Sequence, residues 1–487
     1  MLAALLGCSL FFGLAVIWLV SRERLALYHP LLIFCLWHVI GYLYFPWKIY
    51  LNQEWEYLAM YGVSLNNDLL LVKTLLLVHA GFLAVILGYS SGAGLGWSQH
   101  LNLHPIVILP RVALWVGLLT IALAGYAIFR YHSIPGIHHA TATFMTKDAL
   151  GRGIYTGASG YTVLAPDFLI GISLIWYLVS RQQNTRSWQW LFWGLAFLYL
   201  FLSITKGWHR SSWVTFLFGL TTLWLLCQHR CWPTFRQSIR LVPVAVVFLL
   251  IFNISGTDRS AWHNIIERGT PVQKYADPAM EDLSKFNVGH KRDMSNFEYN
   301  VFQVSVYPEV VGYEWGRGYI NSWFVAALPR VLFPDKDRYY LPTNMSNSNL
   351  VRLTVGPTTG LYLDLYRNFG IPGLILGCFL FGGALRGLWQ MLVRYGGAGR
   401  GYHYLMVLFA GFITFLPQLL RDGIGSIVIG YFFIMTPILL TLYLSWRYSL
   451  RLVPAPRLRK ASARKPLNCR PVGSKGGHPS PESGKLS

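Results

Sequence analysis

Charge is what this sequence has least of. Asp, Glu, Lys and Arg make up 13% of its 487 residues, about half the ~25% of a soluble globular domain, while 54% of the chain is hydrophobic. That balance excludes a soluble globular protein and indicates an integral membrane protein. Acidic residues are scarcer still, 20 against 41 Lys and Arg, for a formal net charge of +21. The excess does not call for a nucleic-acid partner, because the basic residues are scattered through short connections between apolar runs and gathered in the C-terminal tail. Cysteine is sparse: Cys8, Cys35, Cys227, Cys231, Cys378 and Cys469 fall in apolar runs or on the side read below as cytoplasmic, so no disulfide framework is implied. Cys227 and Cys231 flank His229, but a structural zinc site takes four ligands and no second pair lies nearby, so no metal is expected. The chain has neither a Walker-type phosphate loop nor a G-x-S-x-G nucleophile turn. Nor does a basic residue precede the first apolar run. Arg22 and Arg24 follow it instead, the reverse of a cleavable secretory signal, so the run is expected to stay in place with its N-terminus outside.

What is present is a series of apolar stretches near the ~20 residues that cross a hydrocarbon core. Eleven can be drawn: Leu2 to Val20, His29 to Phe45, Leu69 to Tyr89, Val112 to Phe129, Phe168 to Val179, Trp188 to Ile204, Ser212 to Cys227, Leu241 to Ile254, Ile371 to Val393, Tyr404 to Leu420 and Ile424 to Ser445. Nineteen Trp and 28 Tyr suit aromatic belts at the two interfaces. The expected fold is all-α, a polytopic bundle of about eleven membrane helices. It divides into an N-terminal bundle (1–254), a large outer loop (255–370) with short amphipathic helices on the outer surface, a C-terminal set of helices (371–446) and a basic disordered tail (447–487). Carrying the first orientation forward puts Arg181, Arg186, Arg230, Arg236, Arg240, Arg386, Arg394, Arg400 and the tail at the cytoplasmic side, where the tail meets anionic membrane lipids. Among the acidic residues only Glu23 and Glu482 share that side. Insertion does not explain such clustering, so it marks where polar chemistry occurs.

Basic residues kept at outer span ends need a reason. Lys206, His209 and Arg210 lie in KGWHRSSW, Arg259 follows the eighth span, Arg330 and Lys336 flank Phe-Pro, Arg352 precedes GPTTG, Arg367 lies in LYRNFG, and Arg421 ends the tenth span. Converging, they form a cationic pocket suited to a lipid-linked pyrophosphate, whose oxygens guanidinium binds in bidentate fashion. Snorkelling of each Arg to headgroups is the plain alternative. Asp364, with Tyr366 and Asn368 close by, sits where the polar loop becomes an apolar span. An acid there is costly and a candidate catalytic group, and pairing with Arg367 or Arg352 is the structural alternative. Glu298, Glu309, Glu314, Glu54 and Glu56 are weaker candidates. Asp335, Lys336 and Asp337 read as a solvated charge run, and the adjacent His138 and His139 lack the spacing of a shared metal site.

These residues carry a resemblance. LPRVLFPDK (Pro329, Arg330, Phe333, Pro334, Lys336) and GPTTGLYLDLYRNFGIPGLILG (Asp364, Tyr366, Asn368, Phe369, Gly370) resemble segments of the oligosaccharide repeat unit polymerases, the Wzy-type O-antigen and capsule polymerases. The likeness is strongest from Trp323 to Gly377, and KGWHRSSW resembles the family's short outer turn, which places Arg210. Leu363 and Asp364 stand where the family commonly has Gly and Glu. The resemblance implies a GT-C-like glycosyltransferase of the bacterial inner membrane. It would join undecaprenyl-pyrophosphate-linked repeat units at the periplasmic face, with Asp364 as base, without metal or other cofactor, alongside a chain-length regulator and a flippase. Two alternatives stay open. His263 and Asn264 open a pattern like that of the O-antigen ligases, which the residues after it do not continue. A transporter of lipid-linked sugars predicts polar residues buried midway along spans.

Overall fold

The structure, a computed structural model, describes residues 1–22, 25–52, 68–92, 103–132, 145–147, 153–155, 165–205, 210–239, 297–325, 335–342, 359–396 and 400–452, with short pieces at 242–243, 246, 271, 273–274, 277–278, 328 and 333. Its helices are α1 (Leu2–Arg22), α2 (Pro30–Val39), α3 (Phe45–Asn52), α4 (Asp68–Ser90), α5 (Pro110–His132), α6 (Phe168–Gln183), α7 (Arg186–Thr205), α8 (Arg210–Cys227), α9 (Phe297–Val306), α10 (Gly360–Tyr395), α11 (His403–Asp422) and α12 (Ile424–Leu452). Among the described residues, strand structure is confined to an antiparallel ribbon, β1 (Met145–Lys147) with β2 (Gly153–Tyr155), in which Met145 faces Tyr155.

Six of the helical segments are long and apolar enough to cross a membrane, and the protein is a helical membrane protein. Every expected span coincides with a helix except Leu241 to Ile254, most of which lies outside the described residues. Large apolar side chains line the outward faces, as Leu2, Leu6, Leu10 and Leu14 do on α1 and Trp190, Trp193 and Phe197 do on α7. Local chemistry sets the helix ends. Pro30 opens α2 behind an extended His29, where its missing N–H costs nothing. Asn184 closes α6 in the left-handed conformation, φ 49°, which Asn tolerates better than most side chains. Between α2 and α3 the helix widens into a π-turn, Ile40–Tyr44, a feature common at functional sites.

The bundle core is the crossing of α4 with α10. Burial does not drive helices together in lipid, so close backbone contact must. A Cβ on Gly88 would lie 1.9 Å from the Phe379 carbonyl oxygen, and one on Gly382 would lie 2.1 Å from that of Val85. Only glycine at both positions allows this approach.

Three expectations are corrected. Helix α9 does not lie on an outer surface: Phe297, Asn300, Val301, Phe302, Gln303 and Val304 are buried, because it packs against α4 and α10. The boundary at residue 370 is a bend inside α10, whose helix begins at Gly360. Gly370 has φ 67° and ψ −159°, a region open in practice to glycine alone, and the chain reverses there. Leu365 consequently packs against Gly377, and Tyr362 and Leu374 both pack against Gly81. The short arm (residues 360–369) thus doubles back along the long arm (371–395). Third, Cys231 is disulfide-bonded, whereas Cys8, Cys35, Cys227 and Cys378 are free.

Candidate functional site

The short arm of α10 is pinned from two directions by polar groups. Asp364 is 2% exposed. One of its carboxylate oxygens pairs with Arg367 Nη2 at 2.9 Å, and the other accepts the Ile424 N–H at 2.8 Å, capping the start of α12. Arg367 also faces the Glu314 carboxylate, with Nε to Oε2 at 3.6 Å, an ion pair too long for a hydrogen bond. Glu314 accepts the Tyr307 hydroxyl at 2.9 Å. The segment around Glu314 is strapped to the end of the arm by its backbone, from Glu314 N to Arg367 O at 3.1 Å and from Trp315 N to Asn368 O at 2.9 Å. Two carboxylates thus share one guanidinium, with the Tyr307 hydroxyl and the Ile424 N–H as further donors, partners that a buried charge cluster requires.

The phenols around this network respond to it. Burial, then the Glu314 carboxylate, holds Tyr307 above the usual phenol range. Burial, then Asp364, does the same to Tyr319. Both rings therefore stay protonated donors.

Of the residues singled out in sequence, the structure brings together Asp364, Arg367, Glu314, Tyr366 and Asn368, with the backbone of Arg421 close by. Tyr366 donates its hydroxyl to the Tyr307 carbonyl at 3.2 Å. Asn368 accepts the Gly316 N–H at 3.0 Å and donates to the Asp364 carbonyl at 2.8 Å. These two residues tie the loop to the arm. Arg421 ends α11, where its carbonyl lies beside Gly360, and its guanidinium holds Asp422 at 2.6 and 3.3 Å. Arg210 opens α8 and Lys336 opens the turn Lys336–Tyr339, but their side chains, like the whole of Arg259, Arg330 and Arg352, lie outside the described residues. The ligase-like His263 and Asn264 lie outside them as well. Among the described residues no three His, Cys, Asp or Glu side chains gather as a metal site.

A second polar cluster lies deeper. His79 is the midpoint of α4, and His38 lies midway along the span Pro30–Leu51. The two rings are 4.9 Å apart. His38 Nδ1 meets the Tyr362 hydroxyl of the short arm at 2.9 Å, and Asn300 of α9 donates to the Tyr42 hydroxyl at 3.2 Å. Sequence reasoning passed over these residues, although a histidine within an apolar span, as in TLLLVHAGFL, is by itself a signal of function. The cluster holds polar groups midway along spans, the feature a transporter predicts, but it is uncharged in side-chain type apart from the histidines.

No protein-family model, no curated protein and no solved structure matches the chain.

Proposed function

We propose that the protein is a glycosyltransferase of the bacterial inner membrane that joins undecaprenyl-pyrophosphate-linked oligosaccharide repeat units into O-antigen or capsular polysaccharide at the periplasmic face. The observation that carries this reading is the junction at Asp364. The segment with the strongest family likeness folds there as a buried arm that holds the Glu314 loop on one side and the start of α12 on the other, beside the end of α11 that bears Arg421.

The reaction forms a bond from an acceptor hydroxyl oxygen to the donor's anomeric carbon. It breaks the bond from that carbon to the pyrophosphate, which leaves with the electron pair, and the hydroxyl proton passes to the departing pyrophosphate or to water. Stabilising the leaving group is the protein's main task, and guanidinium groups suit it. Arg421 is assigned to that task together with Arg210, Arg259, Arg330, Lys336 and Arg352. Both Asp364 oxygens are engaged, so its part in the reaction is positioning rather than proton abstraction.

The test is polymer formation from lipid-linked repeat units by the purified chain in detergent. Long polymer is expected from the native protein, and an Arg421→Glu or Arg330→Glu variant should leave single repeat units on lipid. A transporter of the same lipids is the second reading, favoured by the mid-span cluster at His38 and His79. Detergent abolishes compartments, so polymer formed there excludes pure transport, while absence of polymer together with transport across vesicles would establish it.

A further inference from the structure

The mid-span cluster leaves an uncommon number of buried polar atoms unused. His38, His79, Asn300 and Gln303 are 1%, 5%, 0% and 0% exposed. Nevertheless His38 Nε2, His79 Nε2, Asn300 Oδ1 and both amide atoms of Gln303 have no hydrogen-bond partner. Each such atom carries the desolvation cost of an unmade hydrogen bond, and native structures rarely keep several in one place without a use.

One hydrogen bond fixes the tautomer of His79. His79 Nδ1 lies 2.8 Å from the Leu75 carbonyl, and a carbonyl only accepts, so Nδ1 carries the hydrogen and the imidazole lone pair sits on Nε2. The His38 ring stands edge-on to it at 84° and is held by Tyr362 through its own Nδ1. The Tyr42 ring, 5.4 Å from that of His38, carries the hydroxyl that Asn300 reaches. Gln303 follows Asn300 by three residues on α9, hence on the same helix face. Two imidazoles with open Nε2 atoms thus meet edge to face at mid-span, and the unused amides sit on α9, which packs against α4.

We infer that His79 and His38 form a proton-binding site at the middle of the helix bundle, with His79 Nε2 as the atom that takes the proton. A hydronium ion from bulk water supplies it and leaves as water, the lone pair of Nε2 forms the new N–H bond, and the ring beside the imidazolium is that of His38. The titratable groups on the elements packed against the pair are Cys35 and Tyr42 on the span of His38, Tyr362 and Cys378 on α10, and Glu298 in the first turn of α9. Helix α1 faces it with the Phe12 ring, and α4 packs Phe82 against His38. Occupancy reaches the short arm through one bond, His38 Nδ1 to Tyr362. A proton here would therefore bias the element that carries Asp364. The site is independent of the glycan reading, since it can be read without any substrate.

The test is nitrogen NMR of the full chain, labelled with 15N-histidine and reconstituted in lipid bilayers. At high pH a signal pair with hydrogen on Nδ1, the less common tautomer, should be present, and its loss in His79→Gln assigns it to His79. Its Nε2 signal should move to the imidazolium position as pH falls from about 8 to about 4, and the His38 signals should move with it. His79→Gln should remove the first pair and stop the His38 movement, and Tyr362→Phe should change the His38 shifts alone. Ring signals for both histidines that keep neutral-imidazole values across that range would overturn the proposal. So would the absence of the Nδ1-protonated tautomer, and either result is read on the native chain even where a variant fails to fold.

Discussion

At the residue scale the decisive group is Arg367, which sequence reasoning treated mainly as a partner for Asp364. It serves two carboxylates, Asp364 and Glu314, each with a side chain 2% exposed. Removing the cation that two buried anions share is a heavier loss than removing either anion. Arg367→Met is expected to cost about 3–5 kcal/mol. Asp364→Asn, which can still accept the Ile424 N–H, should cost about 1–3 kcal/mol. Since the residues touch, the double variant should lose less than the sum, by about 0.5–3 kcal/mol. Thermal unfolding in detergent measures all three, and strictly additive losses would show that the pair is not an interacting unit. In the polymer assay, Asp364→Asn should lower turnover without abolishing it, as suits a positioning residue; complete loss with an unchanged unfolding temperature would return it to the role of base. Much of this was readable beforehand. An acid, a Tyr, an Arg and an Asn at successive short intervals just before an apolar span marked the arm as more than a loop end. The partner Glu314 was not singled out for it, because fifty residues separate Glu314 from Asp364, and nothing local in FQVSVYPEVVGYEWG announces which arginine it meets.

At the element scale the feature that departs most from expectation is the reversal in α10. Apolar patterning located the long arm correctly, since a run of about 20 apolar residues needs no tertiary context to be seen. The short arm escaped because LYLDLYRNF reads as a polar approach to the membrane, and its burial depends on neighbours from α4 and α9 that lie far away in sequence. Alanine at position 370 must adopt φ 67° and place its Cβ 2.9 Å from the Tyr313 ring. Gly370→Ala is therefore expected to cost about 1–3 kcal/mol and to release the arm. Gly125 on α5 is the control: a Cβ there meets nothing within 4 Å, so Gly125→Ala should stabilise the helix by up to about 1 kcal/mol. Unfolding temperatures moving in opposite directions check both. A Gly370→Ala protein as stable as the native chain would mean that the reversal does not need glycine.

At the scale of the whole molecule, the connections sort into two ends of opposite chemistry. One end gathers residues 25–27, 104–106, 182, 231–232 and 401–404, through contacts such as Leu27 N to Cys231 O at 2.9 Å, Ile106 N to Gly401 O at 2.7 Å and Gln182 to His403 at 3.2 Å; the exposed Arg181, Arg186, Arg230, Arg236 and Arg394 belong to it. The other end holds the Met1 amine with Asp68 at 3.8 Å, together with Glu309, Glu314, Asp335, Asp364 and Asp422. Basic connections stay inside during insertion while acidic ones are indifferent, so the first end should be cytoplasmic and the Asp364 end periplasmic, as the glycan reading needs. One observation pulls the other way. Cys231 is disulfide-bonded yet lies at the basic end, and a reducing cytosol does not sustain such bonds. Both assignments cannot hold in the cell. Periplasm-active reporters fused after residue 52 should be active, and those fused after residue 184 or residue 229 inactive. In cells quenched with a membrane-permeant thiol reagent at the moment of lysis, Cys231 should then be found labelled, that is, reduced. Activity after residues 184 and 229, with Cys231 protected, would invert the protein, place Asp364 and Arg421 on the cytoplasmic face, and remove the basis for a polymerase that works on lipid-linked units outside.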